Sequence, residues 1–151
     1  MKNSKKMTEN QETFIFDFDS TFIKVEALDV LCEVIYQDSA AGEQILSEIQ
    51  RLTDLGMEGK LSLKESLTKR IQLLQANRDH LGTVIEELKK KVTASVIRNR
   101  AFFKQHSENI YIISNGFKEI IIPIVQEYGI KPEHVLANTF KFDHDGKIIG
   151  F

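Results

Sequence analysis

The chain has 151 residues, of which 42% are hydrophobic and 28% are charged, and its formal net charge at pH 7 is −2. These values are typical of a single globular domain, and they give no electrostatic reason to expect a nucleic-acid partner. No apolar run is long enough to cross a bilayer, and residues 1–11 are polar, without the apolar core of a signal peptide. We therefore expect a cytoplasmic protein with no membrane partner.

The most informative feature of the sequence is the run Asp17-Phe18-Asp19-Ser20-Thr21, which follows three apolar residues. Residues 13–18 are rich in β-branched and aromatic side chains and predict a short buried strand. A turn would explain Asp19, because Asp and Ser are common turn residues, but it would not explain a charge at Asp17 between two phenylalanines. Two carboxylates at the end of a strand can hold a hard cation, and one of them can accept a phosphoryl group.

The segment from residue 25 to about residue 106 carries no second strand signal. Its apolar residues recur at helical spacing and predict a series of helices, the last over residues 94–106. Ser62 and Glu65 have the spacing of a capping box, which predicts that the third of these helices opens there. Cys32 lies among the apolar positions of the first helix, so we interpret it as a core thiol.

Strand character returns at residues 109–113 and again at 135–137, with a helical pattern between them. Pro123 lies inside that helical pattern and predicts either a kink or the true start of the helix. Residues 139–143 and 147–151 predict a hairpin, because Asp-Gly between them is a common two-residue hairpin turn.

This order of elements favours an α/β fold with a Rossmann-like parallel sheet, because helical crossovers join short apolar strands. The segment between the first two strands is much longer than one crossover helix needs, so we interpret residues 25–93 as an inserted helical cap. The α/β core would then comprise residues 13–24 and 94–151, preceded by a polar tail at residues 1–12.

A second polar run, Ser114-Asn115-Gly116-Phe117, lies between a predicted strand and the helix that follows it. A hydroxyl and backbone N–H groups at a helix N-terminus can bind a phosphate. Asn-Gly is also a common turn, so this run alone is a weak sign of a phosphate site. Its position at the same predicted sheet edge as Asp17 makes the phosphate site the preferred interpretation.

The two polar runs together resemble a known family. DFDST at residues 17–21 resembles the first motif of the haloacid dehalogenase superfamily, in particular its phosphoserine phosphatase branch, and SNGF at residues 114–117 resembles the second. The branch usually has Gly where this chain has Asn115. The resemblance covers nearly the whole chain and implies a haloacid dehalogenase-like fold that is incomplete at its C-terminus.

The resemblance assigns roles to the residues of both motifs. It implies that Asp17 is the nucleophile, that Asp19 is the general acid and then the base, and that Thr21 orients this pair. It also implies that Asp17 and the backbone carbonyl of Asp19 bind Mg²⁺. The residues implied to surround the phosphate are Thr21, Ser114, Asn115 and Gly116.

The segment from Met57 to Arg70 resembles the cap of the same family. By that resemblance Glu26 meets the ammonium of the substrate, Arg70 meets its carboxylate, and Met57 and Leu63 cover the site. Leu63 stands where the family often has phenylalanine. Other interpretations stay open, with Met57 and Leu63 as core residues and Arg70 as a solvated helix residue. A zwitterionic amino acid needs one anion and one planar cation, which favours substrate binding.

The implied function is that of a Mg²⁺-dependent phosphomonoesterase that hydrolyses L-phosphoserine through an aspartyl-phosphate, in serine biosynthesis. Its partner would be a small phosphorylated amino acid. Two alternatives stay open: hydrolysis of another small phosphate ester such as phosphohomoserine, and a catalytically dead module that binds phosphate or an amino acid.

The resemblance also places a lysine and a further Mg²⁺-binding aspartate beyond the hairpin, and neither has a match in this chain. We therefore expect residues 1–151 alone to be an incomplete and poorly active portion of a phosphatase. The last core strand of the family lies beside the first one. We thus expect residues 13–18 to form an uncovered sheet edge that pairs with another chain, as in a homodimer.

Overall fold

The structure of the protein, a computed structural model, describes residues 12–37 and 39–151. The predicted tail at residues 1–12 lies outside these residues except for Glu12. The strands are β1 (Phe14–Phe16), β2 (Ile110–Phe117), β3 (Val135–Asn138), β4 (Lys141–Phe142) and β5 (Ile148–Gly150). The α-helices are α1 (Ala27–Ile35), α2 (Ala40–Met57), α3 (Leu63–Leu74), α4 (Arg78–Lys89), α5 (Ala94–Arg98), α6 (Arg100–Gln105) and α7 (Lys118–Val125).

β2 lies at the centre of a parallel sheet, with β1 on one side and β3 on the other. Phe16 of β1 lies opposite Ile112 of β2, and Ile112 lies opposite Val135 of β3. Opposed residues of neighbouring strands point to the same face, so these three side chains share one face of the sheet. Helices connect the three strands along the chain, and the predicted α/β fold with a parallel sheet is confirmed.

The two faces of this sheet differ in exposure. The face with Phe16 packs on α6, where the ring centroids of Phe16 and Phe103 are 5.1 Å apart. On the opposite face Ile15, Ile113 and Leu136 are 63%, 46% and 51% exposed. The prediction of a buried first strand is therefore wrong for the described residues, because Ile15 faces solvent there.

The chain turns sharply after β1, so this strand ends two residues earlier than predicted. Asp17 Oδ1 accepts a hydrogen bond from Phe18 N at 2.7 Å, and Ile23 N donates to Phe18 O at 3.1 Å. Ser20 in this turn has the left-handed backbone conformation, with φ 55°. Phe18 and Phe22 are fully buried. The aromatic residues that suggested a longer strand therefore enter the core from a turn.

β2 is longer than predicted and continues through the polar run to Phe117. Ile113 lies opposite Leu136, and Phe117 lies opposite Asn138, so four steps along β2 match two along β3. Residues 114–116 therefore bulge from the ladder. The sequence predicted the end of the strand before this run because Ser, Asn and Gly are typical turn residues.

Two further predictions about helices need correction. The single helix predicted over residues 94–106 is divided into α5 and α6 at Asn99, whose side-chain Nδ2 donates to Ser95 O at 2.8 Å. The Asn99 side chain thus competes with backbone N–H groups for the Ser95 carbonyl where the helix is divided. Of the two roles predicted for Pro123, the start of the helix is excluded because Pro123 lies inside α7, and the kink stays a prediction.

Within residues 25–93, α2 and α3 approach each other closely. An added Cβ at Gly56 would lie 3.0 Å from the Ser66 side chain, and Ser66 Oγ donates to Leu52 O at 2.6 Å. The predicted capping box is present, because Ser62 and Glu65 each accept a hydrogen bond from the backbone N–H of the other. The division into cap and core stays a prediction, and "cap" below denotes residues 25–93.

The predicted hairpin is present as β4 and β5, although both strands are shorter than expected. It contacts the connection between α3 and α4. Ile148 N donates to Ala76 O at 2.8 Å, and Arg78 N donates to Gly146 O at 2.8 Å. These bonds fasten the hairpin to the cap, which the sequence did not predict.

Cys32 is buried in α1, and burial raises the pKa of its thiol to about 11. The prediction of a core thiol is confirmed. In the described part of the chain, no helix is both long and apolar enough to span a membrane.

Candidate active site

A cleft of about 610 Å³ opens at the carboxyl ends of β1 and β2. Clefts at this edge are where open α/β sheets bind ligands. The turn after β1, the bulge of β2 and the cap helices line it. It brings together all ten residues that the sequence assigned to a site: Asp17, Asp19, Thr21, Glu26, Met57, Leu63, Arg70, Ser114, Asn115 and Gly116.

Each carboxylate of the first motif uses one oxygen to shape the backbone. Asp17 Oδ1 accepts a hydrogen bond from Phe18 N, and Asp19 Oδ1 accepts one from Ala27 N, both at 2.7 Å. Neither Oδ2 atom has a hydrogen-bond partner among the described residues. Both side chains line the cleft, so each carboxylate keeps one oxygen for a ligand.

Asp19 has the electrostatic character of an acid that works near neutral pH. Its pKa is raised from the ordinary value of 3.8 to about 7, mainly by burial and to a smaller extent by the charges of Glu26 and Asp17. The hydrogen bond from Ala27 and the charge of Arg70 lower it, but by less. A carboxyl group with a pKa near 7 can both give and accept a proton at physiological pH.

The bulge of β2 is held by its own polar groups. Ser114 Oγ accepts a hydrogen bond from Gly116 N at 2.9 Å, and Asn138 Nδ2 donates to Asn115 O at 2.8 Å. The Gly116 N–H that we expected to be free for phosphate is therefore used inside the bulge. The Ser114 hydroxyl keeps its own proton and can donate it to an acceptor in the cleft.

Gly116 lies where the bulge approaches the first motif most closely. A Cβ added at Gly116 would lie 3.1 Å from Ser114 Oγ, 3.2 Å from Ile121 Cδ1 and 3.3 Å from Asp19 Oδ2. Such contacts are shorter than ordinary van der Waals contacts. Glycine therefore leaves room between the Ser114 hydroxyl and the Asp19 carboxylate.

Arg70 reaches the cleft from α3 and is half-buried. Its Nε is buried and has no hydrogen-bond partner among the described residues. Burial lowers the pKa of Arg70, while the nearby charges of Glu26, Asp19 and Asp29 raise it. A buried guanidinium donor without a partner is costly, and a ligand carboxylate would satisfy it. The interpretation of Arg70 as a solvated helix residue is therefore wrong.

Met57 and Leu63 lie at the cap side of the cleft and are 79% and 52% exposed. A core residue is far less exposed, so the alternative interpretation of these two side chains as core is wrong. Their position over the opening agrees with an apolar cover.

The sequence missed two contributions to the site. Ser20 Oγ donates to Glu26 Oε1 at 2.8 Å, and Asn138 at the end of β3 holds the bulge. Ser20 lies inside the first motif, so its position alone could have drawn attention to it. Asn138 carried no signal, because only the strand order brings it beside Asn115.

Mg²⁺ was expected at Asp17 and at the backbone carbonyl of Asp19. The described residues contain no group of three or more Asp, Glu, His or Cys side chains that could hold a metal. Asp17 Oδ2 has no donor among those residues, and the two like charges of the first motif would be offset by a cation. The residues present therefore fit one side of an octahedral Mg²⁺ shell, which commonly keeps several waters.

No family model matches this chain, but several phosphoserine phosphatases are similar to it. The chain is 27% identical over 147 residues to the phosphoserine phosphatase of Rattus norvegicus, covering 97% of this chain and 62% of that protein. It is 32% identical over 143 residues to the chloroplastic phosphoserine phosphatase of Arabidopsis thaliana, covering 93% and 45%. A phosphoserine phosphohydrolase-like protein from Francisella tularensis has a crystal structure that matches with a TM-score of 0.78 at 31% identity, covering 91% of this chain and 62% of that one. These matches show that this chain is similar to the phosphoserine phosphatases of the haloacid dehalogenase superfamily.

The chain spans less than two thirds of the length of each of these three proteins. This similarity agrees with the resemblance carried by residues 17–21 and 114–117. The roles of individual residues in this phosphoserine phosphatase-like chain stay predictions.

Gly116→Ala should lower the unfolding free energy by about 1–3 kcal/mol, because the new methyl group would crowd Ser114 Oγ and Asp19 Oδ2. Chemical denaturation measures this change. Gly82→Ala is the matched control, since an added Cβ at Gly82 in α4 meets nothing within 4 Å. That variant should gain up to about 1 kcal/mol from helix propensity. Equal stability of the Gly116 variant and the native protein would contradict the close approach.

The raised pKa of Asp19 predicts a pH-dependent stability. Because the folded pKa is above the ordinary one, the stabilising contribution of protonated Asp19 is full below pH 3.8 and is lost as pH rises through about 7. Asp19→Asn should therefore resemble the native protein near pH 4. At pH 8 in metal-free buffer it should be more stable by about 2–4 kcal/mol. Denaturation of both proteins across this range tests the prediction, and a difference independent of pH would contradict it.

Proposed function

We infer that the intact protein is a Mg²⁺-dependent phosphatase that hydrolyses L-phosphoserine through a phosphorylated Asp17. One juxtaposition carries this proposal. A single cleft holds two carboxylates whose Oδ2 atoms have no partner among the described residues. It also holds the half-buried guanidinium of Arg70 from α3, whose buried Nε has no partner among those residues either. The first pair suits phosphoryl transfer, and the guanidinium suits a carboxylate on the same substrate.

In the first half of the reaction Asp17 Oδ2 attacks the phosphorus of the ester. A bond from this oxygen to phosphorus forms, and the bond from phosphorus to the serine oxygen breaks. Asp19 Oδ2 gives its proton to the departing serine oxygen, which leaves as the neutral alcohol. The hydrogen bond from Phe18 N to Asp17 Oδ1 fixes the nucleophile, so that its other oxygen faces the cleft.

In the second half water attacks the phosphorus of the phosphorylated Asp17. Asp19, now ionised, takes one proton from that water, the acyl-phosphate bond breaks, and inorganic phosphate and the Asp17 carboxylate result. A pKa near 7 lets Asp19 act as the acid in one half and as the base in the other. The residue ends the cycle protonated, as it began.

The phosphate would lie between the first motif and the bulge. Ser114 can donate its hydroxyl proton to a phosphate oxygen, since its lone pair already accepts Gly116 N–H. Thr21 lines the same part of the cleft, and the glycine at position 116 leaves space there. Mg²⁺ at Asp17 and the Asp19 carbonyl would offset the negative charge that gathers between phosphate and carboxylates.

The amino-acid part of the substrate would face the cap. Glu26 supplies an anion for the ammonium, and Arg70 supplies a cation for the carboxylate. Met57 and Leu63 would cover the bound molecule with apolar surface. Phosphohomoserine, longer by one methylene, is the nearest competing substrate, and comparison of the two rates decides between them.

Serine biosynthesis, a cytoplasmic location and low activity of residues 1–151 alone stay predictions. The low activity is tested by measuring the rate of phosphoserine hydrolysis by residues 1–151. The same rate is measured for a form of the protein that carries the further family motifs. Comparable rates would contradict it. Binding of phosphoserine without turnover in both forms would favour the catalytically dead module.

Asp17→Asn should abolish hydrolysis of phosphoserine, because an amide oxygen does not form a stable phosphoryl ester while the side chain keeps its size. Asp19→Asn should slow turnover by about 10²–10⁴-fold through loss of acid and base catalysis. Phosphate release is the measurement, and Asp54→Asn, an exposed position in α2, is the matched control. Native-like turnover of the Asp17 variant would exclude the covalent route.

Arg70→Ala should raise KM for phosphoserine by about 10–100-fold, because a charge-assisted hydrogen bond contributes about 1.5–3 kcal/mol. Hydrolysis of an aryl phosphate, which has no carboxylate, should change much less. Lys69→Ala removes an exposed cation from the neighbouring position of α3 and serves as control. Equal losses on both substrates would assign Arg70 a structural role.

We also propose that a second chain pairs with the free edge of β1. In the described residues no strand pairs with this edge, and Ile15 of β1 begins an exposed apolar face of the sheet that continues across Ile113 of β2 to Leu136 of β3. Light scattering after size exclusion should find a dimer. Ile15→Lys should give a monomer, whereas Ile97→Lys, at another exposed isoleucine, should not. A monomeric native protein at about 100 μM would contradict the pairing.

A further inference from the structure

Ser20 and Glu26 form a hydrogen bond that the proposed chemistry does not use. Ser20 Oγ donates to Glu26 Oε1 at 2.8 Å, and both residues line the cleft. Ser20 lies between Asp19 and Thr21 in the first motif. Glu26 is the residue immediately before α1. The bond therefore joins the nucleophile turn to the cap.

The position of Glu26 makes this contact unusual. Glu26 is the N-cap residue of α1, yet its side chain makes no capping hydrogen bond. The free N–H at that helix start is satisfied instead by Asp19, whose Oδ1 accepts from Ala27 N. Because another carboxylate caps the helix, Glu26 is available to face the cleft.

The backbone of Ser20 is adapted to this contact. Its φ of 55° lies in the left-handed region, which is strained for a residue other than glycine. Ser20 N donates to Val25 O at 3.2 Å, which closes the loop that carries both partners. The turn thus directs the hydroxyl of Ser20 at the carboxylate six residues later.

The cleft also contains a competing partner for Glu26. The guanidinium of Arg70 is near enough for the two charges to influence each other, but they form no salt bridge among the described residues. A direct ion pair between them would neutralise the two groups that a zwitterionic substrate needs. The hydroxyl of Ser20 is a neutral donor, so it can hold the Glu26 carboxylate away from Arg70 while Glu26 keeps its charge.

We propose that Ser20 is a positioning residue that holds Glu26 Oε1, leaves Oε2 for the ammonium of the substrate and keeps Glu26 apart from Arg70. This inference rests on the proposed function and extends it to the selection of α-amino substrates. The specificity for an amino group then depends on a side chain inside the nucleophile turn that touches neither the phosphate nor the ammonium.

Substitutions of Ser20 in the intact protein test this role. Ser20→Gly removes the hydroxyl and relieves the left-handed backbone, whereas Ser20→Ala removes the hydroxyl and keeps the strain. Ser20→Asn retains a donor and tolerates the same backbone conformation. The substrates are phosphoserine and phosphorylated 3-hydroxypropanoate, which lacks only the ammonium group.

We expect Ser20→Gly and Ser20→Ala to lower the ratio of kcat/KM for phosphoserine to that for the analogue by about tenfold, mainly through KM. Ser20→Asn should recover part of this ratio. An unchanged ratio in Ser20→Gly would overturn the proposal. A native ratio in Ser20→Gly with a reduced one in Ser20→Ala would assign the effect to backbone strain and would overturn it as well.

Binding measurements separate this inference from the proposed function. Calorimetry in an Asp17→Asn background gives Kd for both compounds without turnover. Ser20→Gly should raise Kd for phosphoserine about tenfold relative to Kd for the analogue. Glu26→Gln should raise it by at least as much. Discrimination lost in Glu26→Gln but kept in Ser20→Gly would refute the role of Ser20 alone. Equal affinity of the Asp17→Asn variant, with no further substitution, for both compounds would show that the cleft does not recognise an amino group. That result would refute both the proposed phosphoserine specificity and the role of Ser20.

Discussion

The hydrogen bond between Asp19 Oδ1 and Ala27 N, 2.7 Å long, joins the turn after β1 to the start of α1. The carboxylate can be buried there because a helix N-terminus, with its free N–H groups, lies against it. The same burial raises the pKa of Asp19 to about 7. The contact ties the first motif to the first residue of the cap, and it partly offsets the rise in pKa that burial causes. It also frees Glu26 from capping its own helix.

The opposite charges of the cleft form no salt bridge with each other among the described residues. Asp17 and Asp19 lie at the strand ends, and Arg70 lies on α3 with a buried Nε that has no partner among the described residues. Burial lowers the pKa of Arg70 because the charged guanidinium is partly desolvated. Unpaired buried charge costs free energy, and proteins concentrate it where a ligand supplies the missing partner. Stability is thus given up in the cleft in favour of recognition.

The fold holds the two sides of the cleft by different means. The bulge of β2 is fixed within the sheet, where Asn138 of β3 holds the Asn115 carbonyl. The cap is fixed through its base at Ala27 and, on its far side, through the hairpin, where Ile148 N reaches Ala76 O. The two ends of the cap are joined to each other as well, because Lys24 N donates to Lys91 O and Thr93 N donates to Phe22 O.

The sequence by itself determined the fold class and the members of the site. The period of its apolar residues distinguishes strands from helices, and charges placed at the ends of apolar runs mark one edge of a parallel sheet, so Asp17 and Ser114 could be predicted as neighbours. It could not predict that β2 continues through its polar run, because the bulge depends on pairing with β3. Nor could it predict that Asp19 caps α1 or that Ser20 holds Glu26, since these bonds need a left-handed turn. Local pattern fixes which residues lie at an edge, whereas the partner of each polar atom is decided by distances that exist only in the folded chain.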